Sequence, residues 1–241
     1  SSLSGKRILI TGGGGSIGSE LCRQLAQVAP ESIIIYEHSE FNLYQIHSAL
    51  RRNFPDLKLS AILGDVVDRT AVEELIRNEK PEVIFHAAAY KHVPLLEQQV
   101  LAAVTNNLIG TKNVAEVALA EKVERFVLIS TDKAVNPSNI MGATKRAAEI
   151  LCQNLNTLAK HTSFITVRFG NVLDSAGSVV PLFREQIKMG GPVTVTHPDV
   201  SRFFMTIPEA CRLIMKAEAV GAGGEIYVLD MGQAIKISYL A

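Results

Sequence analysis

Short apolar runs recur along the first 170 residues, and between them apolar positions return at the three- and four-residue spacing of amphipathic helices. Residues 6–11 (KRILIT), 32–36 (SIIIY), 59–63 (LSAIL), 82–87 (EVIFHA), 125–130 (RFVLIS) and 163–169 (SFITVRF) read as strands. Residues 16–28, 39–53, 69–78, 101–120 and 142–158 read as helices. Strands that are apolar almost throughout belong to a sheet covered on both faces. Their alternation with helices predicts βαβ units. Right-handed crossovers wind such units into an α/β, doubly wound parallel sheet of Rossmann-like form.

From residue 171 the pattern loosens. Glycine, proline and short strand signals mix (Ala176-Gly177-Ser178, Gly190-Gly191-Pro192, residues 193–196), and helical stretches shorten. The expected division is a cofactor-binding sheet domain over residues 1–170 and a smaller C-terminal substrate lobe over residues 171–241, lying across the sheet edge. Residues 235–240 begin another strand-to-helix unit, so the natural protein is expected to continue past Ala241.

Thr11-Gly12-Gly13-Gly14-Gly15-Ser16-Ile17-Gly18 joins the first strand to the first helix, with glycines at 12, 15 and 18 in the spacing GxxGxxG. The first permits a tight turn, the second lets backbone approach a pyrophosphate, and the third lets helix pack on strand. The helix N-terminus at Ser16, Ile17 and Gly18 then offers N–H groups and positive dipole to phosphates. Glu37 ends the second strand 19 residues after Gly18. A carboxylate there bonds the adenosine ribose and repels a 2′-phosphate, favouring NAD over NADP. His38 beside it, if protonated, would work the other way. Asp65-Val66 closes the third strand and is placed to meet the adenine, although an aspartate after glycine is also an ordinary turn former. Ala87-Ala88-Ala89 ends the fourth with side chains small enough for a cofactor to lie against backbone, or simply to pack.

Composition narrows the picture. Hydrophobic residues make up 47% and charged residues 20%, an ordinary globular balance. The 24 basic residues match 24 acidic ones without a basic run, so nucleic acid is not an expected partner. Cys22, Cys152 and Cys211 are scattered without CxxC spacing and read as buried thiols of a cytosolic protein; no metal ligands are assigned. No apolar run approaches the roughly 20 residues that span a bilayer, and no signal peptide is visible.

The chemistry concentrates after the fifth strand, where Ser130-Thr131-Asp132-Lys133 is followed twelve residues on by Lys145. Catalytic groups collect at the carboxyl ends of strands in open α/β sheets. An acid, a possible base and a second lysine there would share one crevice with the dinucleotide, which suggests more than simple hydride transfer. A helix-capping aspartate beside a solvated lysine is the bland alternative. His86, inside the fourth strand, reads as a core histidine.

Longer motifs give a resemblance. TGGGGSIG, GDVVD, HAAA, NNLIGT and the lysine of MGATK resemble the extended short-chain dehydrogenase/reductase superfamily. STDKAVNPSNIMGATKRAAE, AAYKHVPLLE, RFGNVLDSAGSVVPLF and GGPVTVTHPDVSRFFMTIPEA resemble its polysaccharide-biosynthesis nucleotide-sugar 4,6-dehydratases, which act on UDP-N-acetylglucosamine. One position departs from the superfamily: Met141 stands four residues before Lys145, where a tyrosine is usual. The long, membrane-anchored bacterial branch carries the same substitution, and HSEFNLYQI is similar to that branch. The resemblance therefore implies the cytoplasmic catalytic domain of a bacterial inner-membrane protein, and a homo-oligomer.

It also implies a mechanism. Hydride leaves C4 for tightly bound NAD, water is eliminated across C5–C6, and hydride returns to C6. Asp132 would be the acid for the C6 hydroxyl and Lys133 the base at C5. Thr131 would meet the C4 oxygen and Lys145 the nicotinamide ribose. Methionine has no ionisable proton, so the C4 base is open; Thr131 relaying to Asp132 is the best candidate. Substrate contacts would come from Lys91, His92, Asn171, Ser178, Arg184 and Arg202, with Arg202 suited to a diphosphate because its guanidinium is forked. The rival readings are a UDP-sugar 4-epimerase, which needs no acid–base pair at C5 and C6, and a binding module without turnover.

Overall fold

A computed structural model of the chain describes residues 2–173, 179–195, 197 and 199–240. Strands and helices alternate as β1 (Arg7–Thr11), α1 (Ser16–Ala26), β2 (Ser32–Glu37), α2 (Glu40–Asn53), β3 (Leu59–Leu63), α3 (Arg69–Glu79) and β4 (Val83–His86). Short helices α4 (Val93–Glu97) and α5 (Val100–Ala103) follow. A π-helical turn (Val104–Ile109) then leads into α6 (Gly110–Ala120), β5 (Arg125–Thr131), α7 (Ile140–Leu158) and β6 (Ser163–Phe169). The remainder comprises β7 (Asn171–Val172), α8 (Val179–Lys188), β8 (Ser201–Arg202), β9 (Phe204–Met205), α9 (Ile207–Val220), β10 (Ile226–Val228), β11 (Ile235–Lys236) and α10 (Ile237–Leu240).

Seven strands form one sheet in the order β3-β2-β1-β4-β5-β6-β10. Every neighbouring pair in it is parallel. Successive side chains of a strand point to opposite faces, so each strand supplies two cores. Ile8, Ile10, Ile33 and Ile35 meet α1, α2 and α9 on one face. Leu9, Ile34, Phe126 and Phe164 meet α3, α6 and α7 on the other. The doubly wound sheet is thus the one read from the sequence. Its chain order reverses between β1 and β4, which opens a crevice at the carboxyl ends of those strands.

Two features differ from the sequence reading. The stretch 171–241 is not all a separate lobe: α9 is 14 residues long, its Ala210, Cys211, Ile214 and Ala217 enter the main core, and β10 extends the main sheet beside β6. An amphipathic helix followed by a strand is one more βα unit, and the glycines around it masked that pattern. The helix expected over 101–120 is interrupted by the π turn, which a regular apolar period does not reveal. No helix among the described residues is long and apolar enough to cross a membrane.

Candidate active site

The crevice between β1 and β4 is lined by Gly12, Gly15, Glu37, His38, Asp65, Val66, Ala87, Ala88 and Ala89, all singled out from the sequence. Tyr36, Asn42, Gly64, Tyr90 and Asn106 complete its wall and were not anticipated. The glycine loop fits a dinucleotide on steric grounds. Gly12 has φ +64°, and a Cβ on it would lie 2.7 Å from Ala88 Cα. A Cβ on Gly18 would lie 2.1 Å from Gly12 O, so helix and loop touch through backbone alone. Gly15, by contrast, faces open space apart from Gly12 O at 3.3 Å. It is the N-cap of α1 and no side chain caps that helix, which leaves the helix start suited to an anion.

Glu37 is buried and has a second task. Its Oε2 accepts from Gly14 N at 2.9 Å and its Oε1 from Ser39 N at 3.0 Å, with His38 Nδ1 3.2 Å from Oε1. The carboxylate therefore fixes the glycine loop as well as facing the crevice. Asp65 is both a turn former and a wall: its Oδ1 accepts from Val67 N at 3.1 Å. Val66 is buried, and its carbonyl accepts from Asn113 Nδ2 at 3.1 Å.

At the carboxyl end of β5, Thr131 Oγ1 donates to Asp132 Oδ1 at 3.0 Å. Lys133 Nζ donates to the same oxygen at 3.1 Å and to Asn171 Oδ1 at 3.0 Å. Asp132 is exposed and Lys133 half-buried. Lys145, one turn into α7, is only 7% exposed and donates to Ile129 O at 2.7 Å. Burial pushes its ammonium down to about 8, against the opposing charge of Glu149.

Two groups with no role in the sequence reading, Glu149 and Asn107, hold this arrangement. Glu149 is fully buried; it accepts from Ser130 Oγ at 2.6 Å, Arg168 Nε at 2.7 Å and Arg146 Nη1 at 3.1 Å. Burial alone would raise its carboxyl, but these bonds, led by Arg168, bring it below the usual carboxylate range. Asn107, in the π turn, accepts from Tyr90 N at 2.8 Å and donates to Tyr90 O at 3.0 Å and Thr144 Oγ1 at 3.1 Å. It thereby ties the loop after β4 to α7. Its carbonyl accepts from Thr111 Oγ1, whose oxygen must then accept from His86 Nε2. That leaves His86 Nδ1 to accept from Thr11 Oγ1 at 2.7 Å. Burial, then the Lys145 charge, pushes His86 down to about 3, so it is the neutral core histidine expected. NNLIGT was a sequence signal for Asn107, but nothing in it disclosed the bonds.

The other candidates scatter. Met141 is 4% exposed among Leu96 and Ala103, with Val93 and Ile140 packed on them, so it lies in an apolar cluster. Lys91 and His92 are exposed on the loop entering α4. Arg184 on α8 and Arg202 on β8 are exposed as well, and Arg202 donates to Ser201 O at 2.9 Å. Ser178 lies outside the described residues.

Known proteins are similar to this chain in sequence and in fold. The capsular polysaccharide biosynthesis protein CapD of Staphylococcus aureus is 54% identical over 240 residues, covering 99% of this chain and 40% of CapD. This chain thus spans well under half of that relative. A UDP-N-acetylglucosamine 4,6-dehydratase (inverting) of Campylobacter jejuni is 34% identical over 241 residues, covering 98% of this chain and 70% of the relative. A UDP-glucose 4-epimerase of Rickettsia canadensis is 35% identical over 233 residues, covering 92% and 65%. Among solved structures, Pen from Bacillus thuringiensis superposes with a TM-score of 0.92 at 35% identity, covering 99% of this chain and 74% of Pen. The family model described as polysaccharide biosynthesis protein matches residues 8–241, almost the whole chain, and the chain belongs to that family.

Proposed function

We propose that this chain carries out NAD-dependent 4,6-dehydration of UDP-N-acetylglucosamine, giving a UDP-4-keto-6-deoxy sugar for bacterial surface polysaccharide. The observation that carries the proposal is the hydrogen-bonded Thr131–Asp132–Lys133 cluster at the carboxyl end of β5. An epimerase needs redox at C4 alone; a dehydratase also needs an acid and a base at C6 and C5. The glycine loop, Glu37 and Lys145 would hold NAD, whose chemistry there would be to take the hydride from C4 and return it to C6.

The residues then divide the proton transfers. Thr131 donates to Asp132, so the C4 hydroxyl proton has a path through Thr131 to that carboxylate. Asp132 is loaded with the proton it later gives to the C6 oxygen, which leaves as water. Lys133, as free amine, takes the C5 proton that the C4 ketone has acidified. Substrate and cofactor closing over these exposed groups would supply the desolvation such chemistry needs. Lys91, His92, Arg184 and Arg202 are the proposed contacts to the nucleotide sugar. We extend the reading, on resemblance and on the greater length of CapD, to the cytoplasmic part of a membrane-anchored protein that forms homo-oligomers.

The test is incubation with UDP-N-acetylglucosamine and NAD in deuterated water, with the sugar nucleotide followed by NMR. A 4-keto-6-deoxy product with deuterium at C5 is expected, and Asp132→Asn or Lys133→Ala should abolish it while NAD still binds. A C4 epimer without C5 deuterium would sink the dehydratase reading in favour of the epimerase.

A further inference from the structure

We propose that Asn171 is the positioning residue for Lys133 and that the pairing of Arg168 with the buried Glu149 holds it in place; this rests on the dehydratase reading above. Strand register creates the contact. Ser130 pairs with Arg168 and Thr131 with Phe169, so Asp132-Lys133 and Gly170-Asn171 leave the sheet side by side. Glu149 clamps the last turn of this pairing: it accepts from Ser130 on one strand and, through two guanidinium nitrogens, from Arg168 on the other.

A lysine ammonium has three N–H directions on a flexible four-carbon stem. Two of them are spent, on Asp132 Oδ1 and on Asn171 Oδ1. The free amine then has one direction left for its lone pair, along which it takes a proton. Asp132 is the neighbouring residue and moves with Lys133, whereas Asn171 ties the amine to a separate strand. Gly170 completes the device, because a Cβ there would lie 3.1 Å from Asp132 Oδ2. The same turn that aims the base therefore leaves the acid's second oxygen open. Proton transfer demands this alignment, since misplacement by about 1 Å costs on the order of a hundredfold in rate.

The experiment compares Asn171→Leu, which keeps the size and removes the acceptor, with Asn171→Asp, which keeps an acceptor oxygen. For Asn171→Leu, kcat and C5 deuterium exchange should fall about tenfold or more, with the KM for UDP-N-acetylglucosamine within roughly threefold of wild type. Asn171→Asp should recover much of that loss. A raised KM with kcat preserved would overturn the proposal in favour of a substrate contact only, as would equal losses in both variants. A second readout is independent of turnover. In the NAD-bound protein, 15N NMR of the Lys133 ammonium, assigned by its disappearance in Lys133→Arg, should show slow proton exchange in wild type and Asn171→Asp. The signal should be lost to fast exchange in Asn171→Leu. Equal exchange in all three overturns the proposal even if wild type makes no keto sugar, an outcome that would sink the dehydratase reading instead.

Discussion

Met141 occupies the position from which a superfamily tyrosine would act, yet its side chain is sunk between α4 and α7 rather than left beside a vacancy. Tyrosine there would bring extra volume and a hydroxyl into an apolar cluster. Met141→Tyr should therefore cost about 2 kcal/mol and lower the rate; a faster enzyme with unchanged thermal midpoint would refute this. Lys145 makes a second case at the same scale. Its folded pKa, about 8, is below the ordinary 10.5 because burial penalises the charge. Between those values the unfolded chain binds more protons than the folded one, so stability rises with pH across that window. Below it the buried charge costs roughly 3 kcal/mol. Lys145→Met should raise the thermal midpoint at pH 7, with the advantage fading towards pH 10.5, while NAD affinity falls. A difference independent of pH would mean that the charge is not what burial penalises.

Elements position these residues through backbone geometry. The four glycines look interchangeable in sequence, but their surroundings separate them. Gly12→Ala meets both a positive φ and Ala88 backbone, and should destabilise by about 3 kcal/mol or more. Gly15→Ala meets little protein, so folding should survive while NAD binding weakens, because the methyl group would stand where phosphate is to approach. Denaturant unfolding and NAD titration of both variants check this, and equal unfolding free energies would contradict it. Helix α7 begins at Ile140, two residues before the start predicted from apolar spacing, because Asn139 Oδ1 accepts from Gly142 N at 2.8 Å. That cap places Met141, Thr144 and Lys145 in the first turns of the helix.

At the scale of the molecule, the site depends on joining β5, β6 and α7, and Glu149 makes that join. Glu149→Ala removes a buried carboxylate and leaves the partly exposed Arg168 and the buried Ser130 without their acceptor, so it should cost about 3 kcal/mol at pH 7. Its carboxyl is held below the ordinary range, so its contribution is present above that range and lost as the pH falls through it. Wild type and variant should accordingly converge in stability on acidification, and a gap unchanged down to pH 3 would rule out this assignment. The sheet was legible in the sequence because strands buried on both faces must be largely apolar, as β2 is over Ile33, Ile34, Ile35 and Tyr36. The glycine loop, Glu37 and the Thr131–Lys145 spacing were legible for a similar reason: local backbone and helix periodicity fix their geometry. The return of α9 and β10 to the sheet, the π turn that holds Asn107, and the burial of Met141 were decided only in tertiary structure. So were the contacts of Asn171 with Lys133 and of Arg168 with Glu149. Each depends on partners brought together by strand register and helix packing across 16 or more residues of chain, and no local pattern of polarity encodes which distant group a side chain will meet.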